Sequence, residues 1–197
     1  YEEDFTTYLP ECWTEKQGRL TSNSQLTGSS SNWLRDQFGN TGSNYSARTI
    51  ITSTYTDEWL ISPSINLGDG TTNYLLEFDI AMTIASNPVK ATLGTDDSLV
   101  VVISLDDGIS WSKSNTLKVF DQNNTPSNLG NHVGIDLSNY TGIVKIGFYA
   151  VSTFTNGNTD VFIDNFKIDE KPSCLWPSEV SFSDLTHNSV NINWNEI

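Results

Sequence analysis

Apolar and polar residues alternate with a period of two along much of this chain. In Tyr74-Leu75-Leu76-Glu77-Phe78-Asp79-Ile80, the residues Leu76, Phe78 and Ile80 share one face. In residues 142 to 151, Ile146, Phe148 and Ala150 share another. Alternation of this kind with one apolar side predicts half-buried strands of a β-sandwich. Leu99-Val100-Val101-Val102-Ile103 is apolar at every position, which predicts a central strand covered on both faces. Further strands are predicted at residues 59 to 61, where Pro63 stops the run, and at 116 to 120 and 160 to 168. Cys12-Trp13-Thr14 reads as a short β-like piece after Pro10. Helical periodicity is nearly absent. Residues 16 to 32 are polar and read as a long loop, as do 85 to 97 and 121 to 131. Loops of this length bind something, are held by an ion, or are tolerated insertions.

The pattern changes at Lys171-Pro172-Ser173. Beyond it Val180 and Phe182 form one short strand pattern, and Val190, Ile192 and Trp194 alternate against Asn191, Asn193 and Asn195. A segment this short cannot complete a sandwich of its own. Residues 1 to 170 are therefore expected to form one domain and 171 to 177 a linker. Residues 178 to 197 are then the truncated start of a second β-sandwich.

Composition narrows the function. Aromatics make up 11% of the 197 residues and charged residues only 17%, which supports a packed core rather than disorder. With 10 basic and 24 acidic residues the net charge is −14. Nucleic acid needs a basic face, so it is excluded as a partner, and an anionic membrane surface is disfavoured. An acidic surface suits solubility and divalent cations. No run reaches the roughly 18 apolar residues of a membrane span, so no membrane insertion is expected. Tyr1 reads as the start of a mature or trimmed chain. Cys12 and Cys174 belong to no CxxC pair, which argues against zinc and leaves a disulfide open. His132 and His187 are the only histidines, and no HExxH, GxSxG or P-loop pattern occurs.

Ser104-Leu105-Asp106-Asp107-Gly108-Ile109-Ser110-Trp111 matches S-x-D-x-G-x-[ST]-W, the Asp-box. In such a hairpin Asp106 accepts bonds from turn amides, Gly108 takes positive φ, and Trp111 packs back under the turn. The motif predicts structure rather than activity. Asp106 and Asp107 are adjacent and on a strand would face opposite ways, so they are not a glycosidase pair. Trp33, Tyr45, Tyr55 and Phe154 lie in or beside loops, where they either stack on sugar rings or pack into the core.

Several segments, taken in order, resemble a known family. They are Glu2-Glu3-Asp4-Phe5, Leu9-Pro10-Glu11-Cys12-Trp13-Thr14, Asp57-Glu58-Trp59-Leu60-Ile61-Ser62-Pro63, Asp97-Ser98-Leu99-Val100-Val101-Val102-Ile103, and Val161-Phe162-Ile163-Asp164-Asn165-Phe166. This order resembles the bacterial MAM-like modules, including the cleaved-adhesin and choice-of-anchor J groups, over about residues 1 to 170. The tail resembles the first strands of a fibronectin type III domain, with Trp194 in its core position. The resemblance implies an all-β jelly-roll sandwich of antiparallel sheets with bound Ca²⁺, carried on secreted or cell-surface bacterial proteins. Calcium takes about six to eight oxygen ligands. First and last strands of a jelly roll are neighbours, so Glu3 and Asp164 are expected to meet there, and the resemblance adds Asp57 and Asp97. The function it implies is a non-catalytic accessory module. Such a module mediates adhesion, or binds polysaccharide or extracellular protein for a neighbouring domain of the same polypeptide. A spacer with no ligand is the alternative.

Overall fold

The computed structural model describes every residue except 29–31, 42–43, 53–54, 155–156, 174–177, 185 and 196–197. Two antiparallel sheets pack face to face. Sheet A contains β1 (Glu2–Glu3), β3 (Leu34–Gln37), β4 (Tyr45–Ile51), β7 (Tyr74–Ile84), β10 (Asn131–Asp136) and β12 (Thr159–Glu170). Its order is β10-β7-β12-β4-β3, with β1 added on β12. Sheet B contains β2 (Thr14–Gln17), β5 (Thr56–Ile61), β6 (Ile65–Asn66), β8 (Ser98–Ser104), β9 (Thr116–Phe120) and β11 (Ile143–Ser152), ordered β2-β5-β11-β8-β9 with β6 on β11. β13 (Ser178–Ser183) and β14 (Asn191–Asn195) pair with each other as a separate ribbon. Cys174, and with it any pairing to the exposed Cys12, lies outside the described residues, as does the side chain of Trp194.

The alternation read from sequence decides which side chains enter the core. Leu76, Phe78, Ile80 and Met82 of β7 and Val161, Ile163, Phe166 and Ile168 of β12 face Leu99, Val101 and Ile103 of β8 and Ile146, Phe148 and Ala150 of β11. Phe78 meets Phe148 edge-on at 5.1 Å, and Phe166 meets Trp13 at 5.1 Å. Trp33, weighed above as a sugar platform, is buried in this core.

β3, β4 and β10 carry no clear signal in the sequence. The inner residues of β4 include Ala47 and Thr49, both fully buried but too small or polar to mark a core strand. The short strand expected at Cys12 begins at Thr14 instead, because Cys12 turns with φ 65°.

A second apolar cluster covers the outer face of sheet B. Trp59, Ile61, Val100, Val102 and Tyr149 lie beneath Trp111 and Leu20. This cover is why β8 is apolar at every position. Trp59 stacks on Tyr149 at 4.5 Å and touches Trp111 at 5.2 Å, and its indole donates to the Gly18 carbonyl at 2.6 Å. Gly147 lies directly under the rings. A Cβ there would sit 2.8 Å from Cζ3 of Trp111 and 3.0 Å from Cε3 of Trp59.

The Asp-box hairpin holds Trp111 in place. Ser104 donates to Asp106 at 2.7 Å and accepts from the Gly108 amide at 2.9 Å. Ser110 donates to Asp106 through its amide at 3.0 Å and its hydroxyl at 2.6 Å. Asp107 and Gly108 both have positive φ, 58° and 82°. Burial pushes the Asp106 carboxyl up, but the Ser110 and Ser104 bonds outweigh it and hold it below the usual range. The loop before β3 is tied to this hairpin: the Ser24 amide donates to the Trp111 carbonyl at 2.7 Å, and the Lys113 amide to that of Thr21 at 2.8 Å.

Trp111 is 1% exposed, so Trp111→Ala is expected to lose about 3–5 kcal/mol in denaturant unfolding. Gly147→Ala, which overpacks the same contact, is expected to lose roughly 1–3 kcal/mol. Unfolding midpoints equal to wild type in both variants would show that the cover over sheet B contributes nothing.

Candidate functional site

The residues named for a metal separate into different parts of the sandwich. β1 pairs with β12, so Glu3 lies opposite Phe166, two residues beyond Asp164. Between Asp164 and Lys167 the register of β12 against β7 shifts by one residue, and Asn165 takes φ 49°. Asp164 faces outward from sheet A, in step with Val161 and Ile163 facing the core, and the bulge after it returns Phe166 to the core. Asp164 is 2% exposed. It accepts from the Asn165 amide at 2.8 Å and from Asn44 Nδ2 at 3.3 Å. No Lys, Arg or His lies within ion-pair distance of it among the described residues. Burial, then the charges of Asp79 and Asp4, raise its carboxyl to about 6. Glu3 is also raised, by burial and then by Asp4, although the Phe5 amide donates to it at 2.9 Å.

Asp79, opposite Asp164 on β7, accepts from Asn165 Nδ2 at 2.7 Å and bonds Nδ1 of His132 at 2.9 Å. Nε2 of His132 reaches Glu77 at 3.2 Å. Burial lowers the His132 imidazole, but Asp79 and Glu77 raise it further, so its ordinary value is exceeded. Glu3, Asp4 and Asn165 line a shallow cleft at the β1–β12 junction.

Asp57 and Asp97 belong to sheet B. Asp57 accepts the Tyr149 hydroxyl on the outer face. Asp97 is buried: one oxygen accepts the Gly94 amide at 2.9 Å, and the other has no protein partner among the described residues. A sheet-to-sheet spacing of roughly 10 Å stands between these groups and Asp164. The four carboxylates do not form one shell. Among the described residues, no three His, Cys, Asp or Glu side chains converge as metal ligands.

The outer face of sheet B offers a different feature. Beside the Trp111 cover runs a groove of about 510 Å³. Leu20, Val100, Tyr149 and Val151 form an apolar floor, and Thr21, Ser98, Thr116 and Thr153 supply hydroxyls. Arg19 and Lys113 stand on its rim. The Arg19 guanidinium lies 5.4 Å from the ring centre of Tyr55, which is 58% exposed. Phe154, next to Thr153, is 79% exposed, and Asp96 fixes this turn by accepting the Thr153 amide at 2.9 Å and the Phe154 amide. Tyr45, the remaining aromatic named above, lies under Arg35 at 4.0 Å. The groove joins residues from four separate stretches of the chain, 19–21, 98–100, 113–119 and 149–153. Arg19 and Thr21 come from a run with no periodicity, so no local pattern announces them.

No family model matches the sequence, and no curated protein matches it. Solved structures do share its fold. The K1 cleaved adhesin domain of Lys-gingipain from Porphyromonas gingivalis W83 is 16% identical, with a TM-score of 0.55 over 87% of this chain and 98% of that one. The K3 cleaved adhesin domain of the same protein is 14% identical, with a TM-score of 0.53 over the same shares. A structure of carbohydrate-binding modules from the β-sandwich superfamily is 11% identical, with a TM-score of 0.51 over 85% of this chain and 60% of that one. The chain therefore has the jelly-roll β-sandwich that these domains share.

Proposed function

We propose that the chain is a non-catalytic binding module of a secreted or cell-surface multidomain protein, docking polysaccharide or extracellular protein. Residues 1 to 170 are the binding domain, 171 to 177 a linker, and 178 to 197 the start of a fibronectin type III-like domain. The observation that carries the reading is the groove on sheet B. An apolar floor edged by hydroxyls suits a ring with polar substituents, and the lining residues contain no carboxylate or histidine to serve as acid, base or nucleophile. The shared fold adds adhesin and carbohydrate-binding neighbours as support.

A structural Ca²⁺ at the β1–β12 junction completes the proposal. Asp164 is buried among like charges with only amide donors as partners, and carboxylate and carbonyl oxygens are the donors a hard cation takes. Glu3 and Asp164 are the carboxylates proposed as its ligands, with backbone carbonyls supplying the rest of the shell. When bound, the ion supplies neutralising charge and a tie between the first and last strands. Asp57 and Asp97 take no part.

A panel of neutral and charged glycans and extracellular proteins tests the docking role. Binding is expected, and Thr116→Trp, which fills the groove from the edge strand β9, is expected to abolish it while the fold persists. A chain that binds nothing in the panel is the spacer instead.

Calcium makes a separate prediction. Chelation is expected to lower the melting temperature and Ca²⁺ to restore it, by about 2.7 kcal/mol when free Ca²⁺ is 100-fold above Kd. Magnesium restores less. An identical melting curve with and without chelator overturns the ion.

The raised carboxyl of Asp164 fixes the sign of a pH effect in the chelated protein. The fold holds the proton more tightly than the unfolded chain does, so the stabilisation is full below the ordinary carboxyl range and is lost as pH rises through about 6. Asp164→Asn is expected to flatten that slope and to shrink the calcium shift. Melting curves from pH 4 to 8 read both.

A further inference from the structure

We propose that the groove on sheet B takes an anionic saccharide, a glycan bearing carboxylate or sulfate groups. The inference rests on the docking role given above and names its ligand class. The chain carries 24 acidic residues against 10 basic ones, yet the groove is lined by two cations and no carboxylate. Neither Arg19 nor Lys113 has a carboxylate within 4.0 Å among the described residues. The nearby acids stand outside the lining and make no ion pair with these cations: Asp57 accepts the Tyr149 hydroxyl, and Asp96 the amides of Thr153 and Phe154.

The asymmetry extends beyond one groove. On the other side of Trp111 a second depression is lined by Lys16 and Lys145, again without a carboxylate, although Lys145 keeps a 4.0 Å contact with Asp107 outside it. On the outer face of sheet A the cations are instead paired with carboxylates, His132 with Glu77 and Asp79 and Arg48 with Asp160. A polyanion therefore meets unpaired cations at the groove and paired ones on sheet A. An uncharged ligand gains nothing from this arrangement. The hydroxyls of Thr21, Ser98, Thr116 and Thr153 and the floor of Tyr149 and Val100 suit a sugar ring.

The test titrates the whole chain with four polymers: α-1,4-galacturonan oligomers, dextran sulfate, unmodified dextran and polyglutamate. At least one charged glycan is expected to bind tenfold or more tighter than dextran, with affinity falling as salt rises; comparing the two charged glycans separates carboxylate from sulfate recognition. Arg19→Gln and Lys113→Gln are each expected to weaken that binding roughly tenfold. Arg19→Lys, which keeps the charge, restores most of it, and Lys90→Gln, away from the groove, changes nothing. Equal binding of neutral and charged glycans, unmoved by the variants, overturns the anionic assignment and leaves the glycan-docking role standing. Failure of every glycan to bind overturns both. Polyglutamate binding as tightly as the charged glycans overturns the saccharide assignment, because charge alone then suffices. Loss of binding in Lys16→Gln or Lys145→Gln but not in the Arg19 and Lys113 variants overturns the choice of groove.

Discussion

Sheet B is apolar on both faces, and everything on its outer side follows from the need to cover it a second time. A β-sandwich ordinarily buries one face of each sheet and wets the other. Here Trp59, Val100, Val102 and Tyr149 point away from the main core and would meet water without a lid. The lid is built from two irregular segments, the loop before β3 and the Asp-box hairpin, joined by the paired backbones of Ser24 and Trp111. Trp111 presses on a strand that has given up its side chain at Gly147 to admit it. The groove exists because this lid stops short of the edge strand β9. The groove is thus a by-product of how the sheet hides its surplus apolar surface.

Much of this was legible in the chain. The alternation in β7 and β11 identified inner residues correctly, because large side chains at every second position leave little ambiguity. The unbroken apolar run of β8 announced a strand covered twice, and the Asp-box announced the turn that supplies Trp111 for the cover. What stayed hidden has specific causes. β4 lies between β12 and β3, yet it fills its inner positions with Ala47, Thr49 and Ile51, a set that sequence cannot tell from a loop. β10 spends alternate positions on His132 and Gly134.

The candidate sites were harder to foresee because they are assembled from strands and loops far apart in sequence. Adjacent first and last strands pair Glu3 with Phe166, two residues from Asp164, but the bulge that returns Phe166 to the core after Asp164 breaks the period of two and is not announced by it. Asp57 precedes an apolar strand in a family-like way and yet serves a hydroxyl on Tyr149, 92 residues away. The groove has no motif at all. Its cations are visible only as a local reversal of charge in an acidic protein, which needs the fold before it can be counted.

The pairing of β1 with β12 has a mechanical meaning. The amino group of Tyr1 donates to the Ile168 carbonyl at 2.8 Å, and the Ile168 amide returns the bond to Tyr1 at 2.8 Å. Because the strands are antiparallel, the chain enters and leaves the sandwich side by side. Tension applied through those two points pulls across the ladder, opening its bonds one after another like a zipper, rather than shearing them all at once. Two rungs in, Glu3 and the bulge at Asp164 stand where the peeling would have to pass. The charge held on those carboxylates therefore acts on the ladder only after its first rungs have parted.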